Sequence, residues 1–223
     1  MALLRGHWQL LALTAAVFAL WQTPAVVPLK ILIVFFHEAS HAIATLLTGG
    51  DVVSLSVSAD QGGLVISRGG NRFVTLTAGY LGSLLVGVVL LLAATRTSAD
   101  RKVMALCGMV TLVIAGLYVR DLFALAFCMG MGAVMLLMAR YLGHKANDLA
   151  LRVIGLTSMI YVPYDIFSDT IARASLRSDA RMLAEEFGGT TVMWGGLWLL
   201  ISVGIIGWCL RYGLGRSSNL KLR

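Results

Sequence analysis

The chain has 223 residues, of which 58% are hydrophobic and 13% are charged. This charged share is about half of what soluble domains contain, and a water-soluble core of this size could not hide so much apolar surface, whereas a bilayer can. The net charge of +7 would suggest nucleic acid in a soluble protein. Here the Lys and Arg residues lie between apolar segments and near the C-terminus, where lipid headgroups explain them better. We therefore expect a membrane protein that is embedded in the lipid bilayer and binds no nucleic acid.

Seven apolar segments have the length and composition of transmembrane helices. In chain order they cover 8–27, 29–47, 73–94, 103–119, 122–139, 154–167 and 191–210. Seven spans is the prediction and six is the alternative. The first segment follows a basic start, so a secretory signal peptide is the rival interpretation. It lacks a small-residue cleavage site and further spans follow, so we favour a retained helix.

Residues 51–71 differ in kind from the apolar segments around them. Val53, Leu55 and Val57 alternate with serines, a turn follows at 61–63, and a second short apolar run comes next. This period of two predicts a β-hairpin that packs against the helices at one interface. The predicted fold class is thus an all-α polytopic membrane bundle with a small β-hairpin after the second helix, forming a single domain over 1–223.

The second predicted helix contains the motif His37-Glu38-Ala39-Ser40-His41. Residues four apart lie on one face of a helix, so His37 and His41 can direct ring nitrogens at one Zn²⁺ ion. Glu38 follows the first histidine and reaches the water that zinc activates, where a carboxylate can act as general base. Histidines and a carboxylate at mid-bilayer are costly and need a partner or a function.

Zinc requires a third protein ligand and an open position for water. No third histidine lies in a predicted span, so we expect a carboxylate. Asp165 and Asp169 are the candidates, because they lie four apart on one face of the sixth helix. Asp165 is deeper in the apolar run and is the preferred ligand, with Asp169 as the alternative. Residues 178–187 instead predict a short surface helix with Ser178 as its N-cap.

This membrane-embedded motif, the hairpin after it, the segment Ala78-Gly79-Tyr80-Leu81-Gly82-Ser83 and a late Asp-containing helix together resemble the site-2 protease class of intramembrane metallopeptidases, family M50. Residues 164–170 and Ser178-Asp179-Ala180 are similar to the compact M50B-like branch found in bacteria and plants. The resemblance covers about 35–189.

The resemblance implies a zinc-dependent endopeptidase that cleaves membrane-embedded protein substrates. It makes His37 and His41 zinc ligands, Glu38 the base, and Asp165 or Asp169 the third ligand. It also implies an integral multi-pass protein of a bacterial inner membrane.

Two other functions stay open from the sequence. One is a catalytically inactive or non-proteolytic scaffold, and the other is a metal transporter, although no internal repeat typical of transporters is visible. The oligomeric state and the orientation are also open. The positive-inside rule places the C-terminal tail in the cytoplasm and the hairpin outside, whereas the resemblance implies a cytoplasmic hairpin.

Overall fold

The computed structural model describes residues 2–173, 177–215 and 217–220. In these ranges the chain is mostly helical, with a two-stranded antiparallel sheet after the second long helix, so the predicted fold class is confirmed. The elements in chain order are α1 (Ala2–Ala19), α2 (Val27–Leu47), β1 (Asp51–Val57), β2 (Gly63–Arg68), α3 (Arg72–Arg96), α4 (Asp100–Tyr118), α5 (Leu122–Tyr141), α6 (His144–Phe167), α7 (Asp179–Phe187) and α8 (Thr191–Trp208).

Within the described ranges, six helical segments are long and apolar enough to cross a membrane. They are α2, α3, α4, α5, α6 and α8, with short helical extensions on some of them. Helix α1 is not among them. It ends at Ala19, short of the predicted 27, and a 3-10 turn follows at Pro24–Val26. The described residues therefore fit the six-span alternative.

Helices α2, α3 and α6 form the centre of the bundle. Between α3 and α6 the backbones approach so closely that a Cβ on Gly87 would overlap Ser158, and a Cβ on Gly155 would overlap the backbone of α3. The Ser158 hydroxyl also donates to the Ser83 carbonyl at 2.8 Å. Small residues allow the backbones of two helices in lipid to approach this closely. The outer helices α4, α5 and α8 expose large apolar side chains to the lipid, among them Leu106, Val113, Leu137, Leu200 and Val203.

Helix α6 begins at His144, ten residues before the predicted apolar segment at 154. The extra turns contain Asp148 and Arg152, which are both buried and form an ion pair of 2.8 Å. The Arg152 guanidinium also donates to the carbonyl of Ser218 in the C-terminal tail. Because the two charges satisfy each other, the polar start of α6 can remain helical and buried, which hydropathy alone does not indicate.

The hairpin packs against the C-terminal end of α2 and is fixed on its β1 side. Leu55 pairs with Val65 inside the hairpin and also forms an isolated parallel bridge with Val119. The Ser56 hydroxyl donates to the Asp121 carboxylate at 2.6 Å. The turn between α4 and α5 therefore anchors β1 and leaves β2 as the outer strand.

Candidate metal centre

Helix α2 presents His37 and His41 on one face, as their spacing predicts. The two imidazole centroids lie 4.7 Å apart. Helix α3 crosses directly beneath them at Gly79, where a Cβ would overlap both rings. Glycine at this position lets α3 approach the imidazoles without displacing them.

The carboxylate that meets the two histidines belongs to Asp179. Its Oδ2 atom lies 3.0 Å from Nε2 of His37 and 3.1 Å from Nε2 of His41. One ligand atom from each of the three residues lies within 4.8 Å of the others. Two imidazole nitrogens and a carboxylate oxygen are a donor set that zinc accepts, with a fourth position for water. Among the described residues this is the group of His, Cys, Asp and Glu side chains close enough to hold a metal ion.

Asp179 reaches the histidines because it is the first residue of α7. The Ser178 side chain accepts a hydrogen bond from the Arg181 amide at 3.3 Å, which starts the helix at this point. The amphipathic helix then buries Ala180 and Leu183 against the bundle. The predicted surface helix is thus present with its N-cap, but its first residue faces inward, towards the two histidines of α2.

Hydrogen-bond acceptors face both ring nitrogens of His41. Its Nδ1 atom lies 2.7 Å from the Thr75 carbonyl oxygen, which can only accept, so Nδ1 carries the proton. Its Nε2 atom faces a second acceptor, the Asp179 carboxylate. A neutral imidazole has one N–H, so this arrangement needs either a second proton on the ring or a metal ion at Nε2. A backbone carbonyl that fixes the tautomer is also the usual outer partner of a metal-binding histidine.

The two histidines shape the electrostatics of Asp179. Burial alone would raise its pKa, but the charges and hydrogen bonds of His41 and His37 lower the pKa well below its usual range. The carboxylate is therefore ionised at neutral pH, as a metal ligand has to be.

Glu38 lies one residue beyond the first histidine and is buried, with 6% of its surface exposed. The hairpin comes down onto it at Gly63, the first residue of β2, where a Cβ would overlap the Glu38 carboxylate. Glu38, both histidines and Asp179 line one cavity, which extends to the hairpin. A buried carboxylate therefore shares this cavity with the three candidate metal ligands.

Asp165 and Asp169 line this cavity but are not in the metal-ligand cluster. Asp169 accepts a hydrogen bond from the Tyr80 hydroxyl at 2.9 Å and pairs with Arg173 at 2.5 Å. The Tyr80 ring packs edge-on against His37, with centroids 4.6 Å apart. The Tyr80–Asp169 pair thus supports a histidine from behind. Sequence reasoning did not identify Asp179 as a candidate metal ligand. Ser178-Asp179-Ala180 entered only as part of the family resemblance, because an acid in the first turn of a surface helix is usually solvated.

A cavity of about 990 Å³ connects the cluster with the hairpin. Its lining includes β2 with the turn before it, and residues of α6 together with Arg173, Arg177 and Ser178. Tyr161 and Tyr164 contribute aromatic surface, and Trp21 covers both rings from outside at 5.9–6.0 Å. The volume is large enough for several residues of an extended peptide.

Comparison with known proteins identifies the family of the chain. No curated protein and no solved structure matches the chain significantly. The sequence model of the family described as Peptidase M50B-like matches residues 10–209, which include α2, the hairpin and α7. The match covers most of the chain and extends beyond the segment that carried the resemblance. The protein therefore belongs to the Peptidase M50B-like family of membrane peptidases.

Proposed function

We propose that this protein is an intramembrane zinc metalloendopeptidase that hydrolyses peptide bonds of membrane-embedded protein substrates. The observation that supports this most is the convergence of His37, His41 and Asp179 within 4.8 Å, next to a buried glutamate. Family membership supports the reaction class. The six apolar helices of the described ranges support a reaction in a lipid bilayer, and the inner membrane of a bacterium is our proposed location.

Asp179 is our proposed third zinc ligand, in the role that the sequence suggested for Asp165 or Asp169. Its carboxylate is within 3.1 Å of both imidazole nitrogens, whereas Asp169 is engaged by Tyr80 and Arg173. Asp165 would then act within the cavity on substrate or water rather than on the metal.

A zinc ion at this cluster would supply a Lewis acid that polarises the scissile carbonyl and makes water nucleophilic near neutral pH. Glu38 accepts a proton from the attacking water as the water oxygen bonds to the carbonyl carbon. Glu38 then returns the proton to the amide nitrogen as the C–N bond breaks. Thr75 holds His41 in the tautomer that leaves Nε2 free. Burial of Glu38 by the hairpin keeps competing water away from its carboxylate.

The hairpin gives an unwound substrate a place to bind. The β1 edge is occupied by Val119, whereas Gly63, Leu64, Val65, Ile66 and Ser67 of β2 line the cavity. An extended peptide that pairs with β2 would gain backbone hydrogen bonds and pass over Glu38. A helical segment cannot do so, because its own backbone groups are paired internally. The substrate class is therefore a membrane segment that unwinds locally.

The experiment compares wild type with Glu38→Gln on a fluorogenic transmembrane substrate in reconstituted membranes. Glutamine keeps the shape of the side chain but cannot take a proton. Cleavage is expected to fall by at least about 10² to 10⁴-fold, while zinc content stays at the wild-type level. Full cleavage by the variant would exclude this mechanism. A wild-type protein that binds zinc stoichiometrically yet cleaves nothing would favour the non-proteolytic scaffold.

A further inference from the structure

A second cavity, of about 650 Å³, lies at the end of the bundle away from the metal centre. It is formed by the start of α4, the end of α5 and the start of α6. Because the other ends of α4 and α5 contact the hairpin, the two cavities are at opposite faces of the membrane domain. We call it the basic groove, lined among others by Arg101, Lys102, Ala105, Leu136, Arg140 and His144.

The rim of the basic groove has an excess of positive charge. The Arg101 guanidinium is held in place by donating to the carbonyls of Ala139 and Arg140, at 2.8 and 3.0 Å. Lys102 and Arg140 are exposed. Within the described residues, none of these three cations pairs with a carboxylate.

Asp100, at the start of α4, is the acid next to Arg101 at the basic groove. Asp100 is fully buried, and its Oδ2 atom lies 2.5 Å from Nδ1 of His144. Burial withdraws the Asp100 carboxylate from the surface of the basic groove. The unmatched charge at the rim is therefore that of Arg101, Lys102 and Arg140.

The floor of the basic groove is apolar. Ala105, Leu136 and Ala139 line it, and the exposed side chains of Leu106 and Leu137 continue the apolar surface along α4 and α5. All three helices start or end here as candidate spans, so the rim lies at headgroup depth and the floor leads into the hydrocarbon region. A cationic rim above an apolar track matches a molecule with a phosphate and an acyl chain. Free phosphate would leave the track unused.

We propose that the basic groove binds one anionic phospholipid. Its phosphate and headgroup lie between Arg101, Lys102 and Arg140, and one acyl chain follows the surface between α4 and α5. The inference is independent of the proposed function, because the basic groove and the metal centre share no residue. The lipid would hold α4, α5 and α6 together at this face of the membrane.

The test measures lipid binding to the purified full chain in non-ionic detergent. Phosphatidylglycerol and phosphatidylcholine with identical acyl chains are added in equal amounts, and native mass spectrometry counts each adduct. Wild type should retain phosphatidylglycerol preferentially. The double variant Lys102→Gln/Arg140→Gln should lose roughly 10- to 30-fold of this preference, since each surface cation contributes about a fivefold factor. Ala105→Trp, which fills the floor and keeps every charge, should also reduce lipid retention.

The matched control is Arg5→Gln/Arg211→Gln, which removes two exposed charges from the same end of the bundle but outside the basic groove. It should behave like wild type. An equal loss in this control, or an unchanged preference in the groove variant, would overturn the proposal. If millimolar inorganic phosphate displaces the lipid completely, the site recognises phosphate alone and the lipid assignment fails. Size-exclusion profiles report folding, and if the double variant fails to fold, Lys102→Gln alone should show about a fivefold loss.

Discussion

At the scale of single residues, the metal centre depends on glycines as much as on its ligands. The Cβ atoms absent from Gly79 and Gly63 leave room for two imidazoles and one carboxylate, respectively. Neighbours that contact metal-binding side chains fix the orientation of those side chains, and loss of such a neighbour typically lowers metal affinity 10- to 100-fold.

Gly79→Ala is the sharpest test of this packing. Alanine favours an α-helix over glycine by about 1 kcal/mol, so helix propensity alone predicts a stabilised α3. The added methyl group overlaps both imidazoles, however, and we expect zinc affinity to fall roughly 10- to 100-fold. Competition with a chromogenic chelator measures the change. Gly116→Ala in α4 is the control, since no atom lies within 4 Å of its added Cβ, and a control that loses as much zinc would refute the packing argument.

Among the elements, the hairpin and α7 each bring a group to the candidate site on α2. The hairpin reaches Glu38 through Gly63, and α7 brings Asp179 to the histidines. Arg72, at the start of α3, pairs with Glu186 near the end of α7 at 2.9 Å. Residues distant in sequence hold the hairpin and α7 in place. The hairpin contacts Glu38 and α7 contacts the histidines, so each element positions a different part of the site.

Gly63→Ala separates these two contributions. Its methyl group would overlap the Glu38 side chain, to which the three nearest atoms all belong. Zinc content should stay at the wild-type level, while cleavage falls by about tenfold or more, because misplacing a catalytic group by about 1 Å can cost 10²-fold. The control is Gly62→Ala, whose Cβ would lie 3.2 Å from the Ser58 hydroxyl. Equal cleavage by wild type and Gly63→Ala would mean that the hairpin does not position Glu38.

The same elements explain what sequence patterns could and could not predict. His37, Glu38 and His41 follow from helical spacing, and the alternation of Val53, Leu55 and Val57 follows from strand geometry. Both are local relations. Asp179 lies 138 residues after His41, and only the tertiary path from α6 to α7 turns it inward. Hydropathy alone therefore favours, as the third metal ligand, an acid inside an apolar run over an acid at the start of a surface helix.

At the scale of the whole molecule, six spans in the described ranges place the two cavities at opposite faces of the membrane. The loops at the hairpin and at 119–121 share one face, since Leu55 bridges Val119. The loops at 97–99 and 142–143 then share the other face. This arrangement is independent of which face is cytoplasmic.

Engineered cysteines test the arrangement in sealed vesicles. Ser58→Cys in the hairpin turn and Ser98→Cys before α4 should react with a membrane-impermeant maleimide from opposite sides. Cys128 and Cys209 are buried, and wild type controls for background labelling of the native thiols. Labelling of both engineered sites from one side would contradict the six-span arrangement.

We propose above all that His37, His41 and Asp179 together bind zinc. Elemental analysis of purified wild type, Asp179→Ala and Asp165→Ala, all prepared without added chelator, tests it most directly. We expect stoichiometric zinc in wild type and in Asp165→Ala, and a large loss of zinc in Asp179→Ala, because the metal would keep only two protein ligands there. Stoichiometric zinc in Asp179→Ala, or its loss from Asp165→Ala, would contradict the claim.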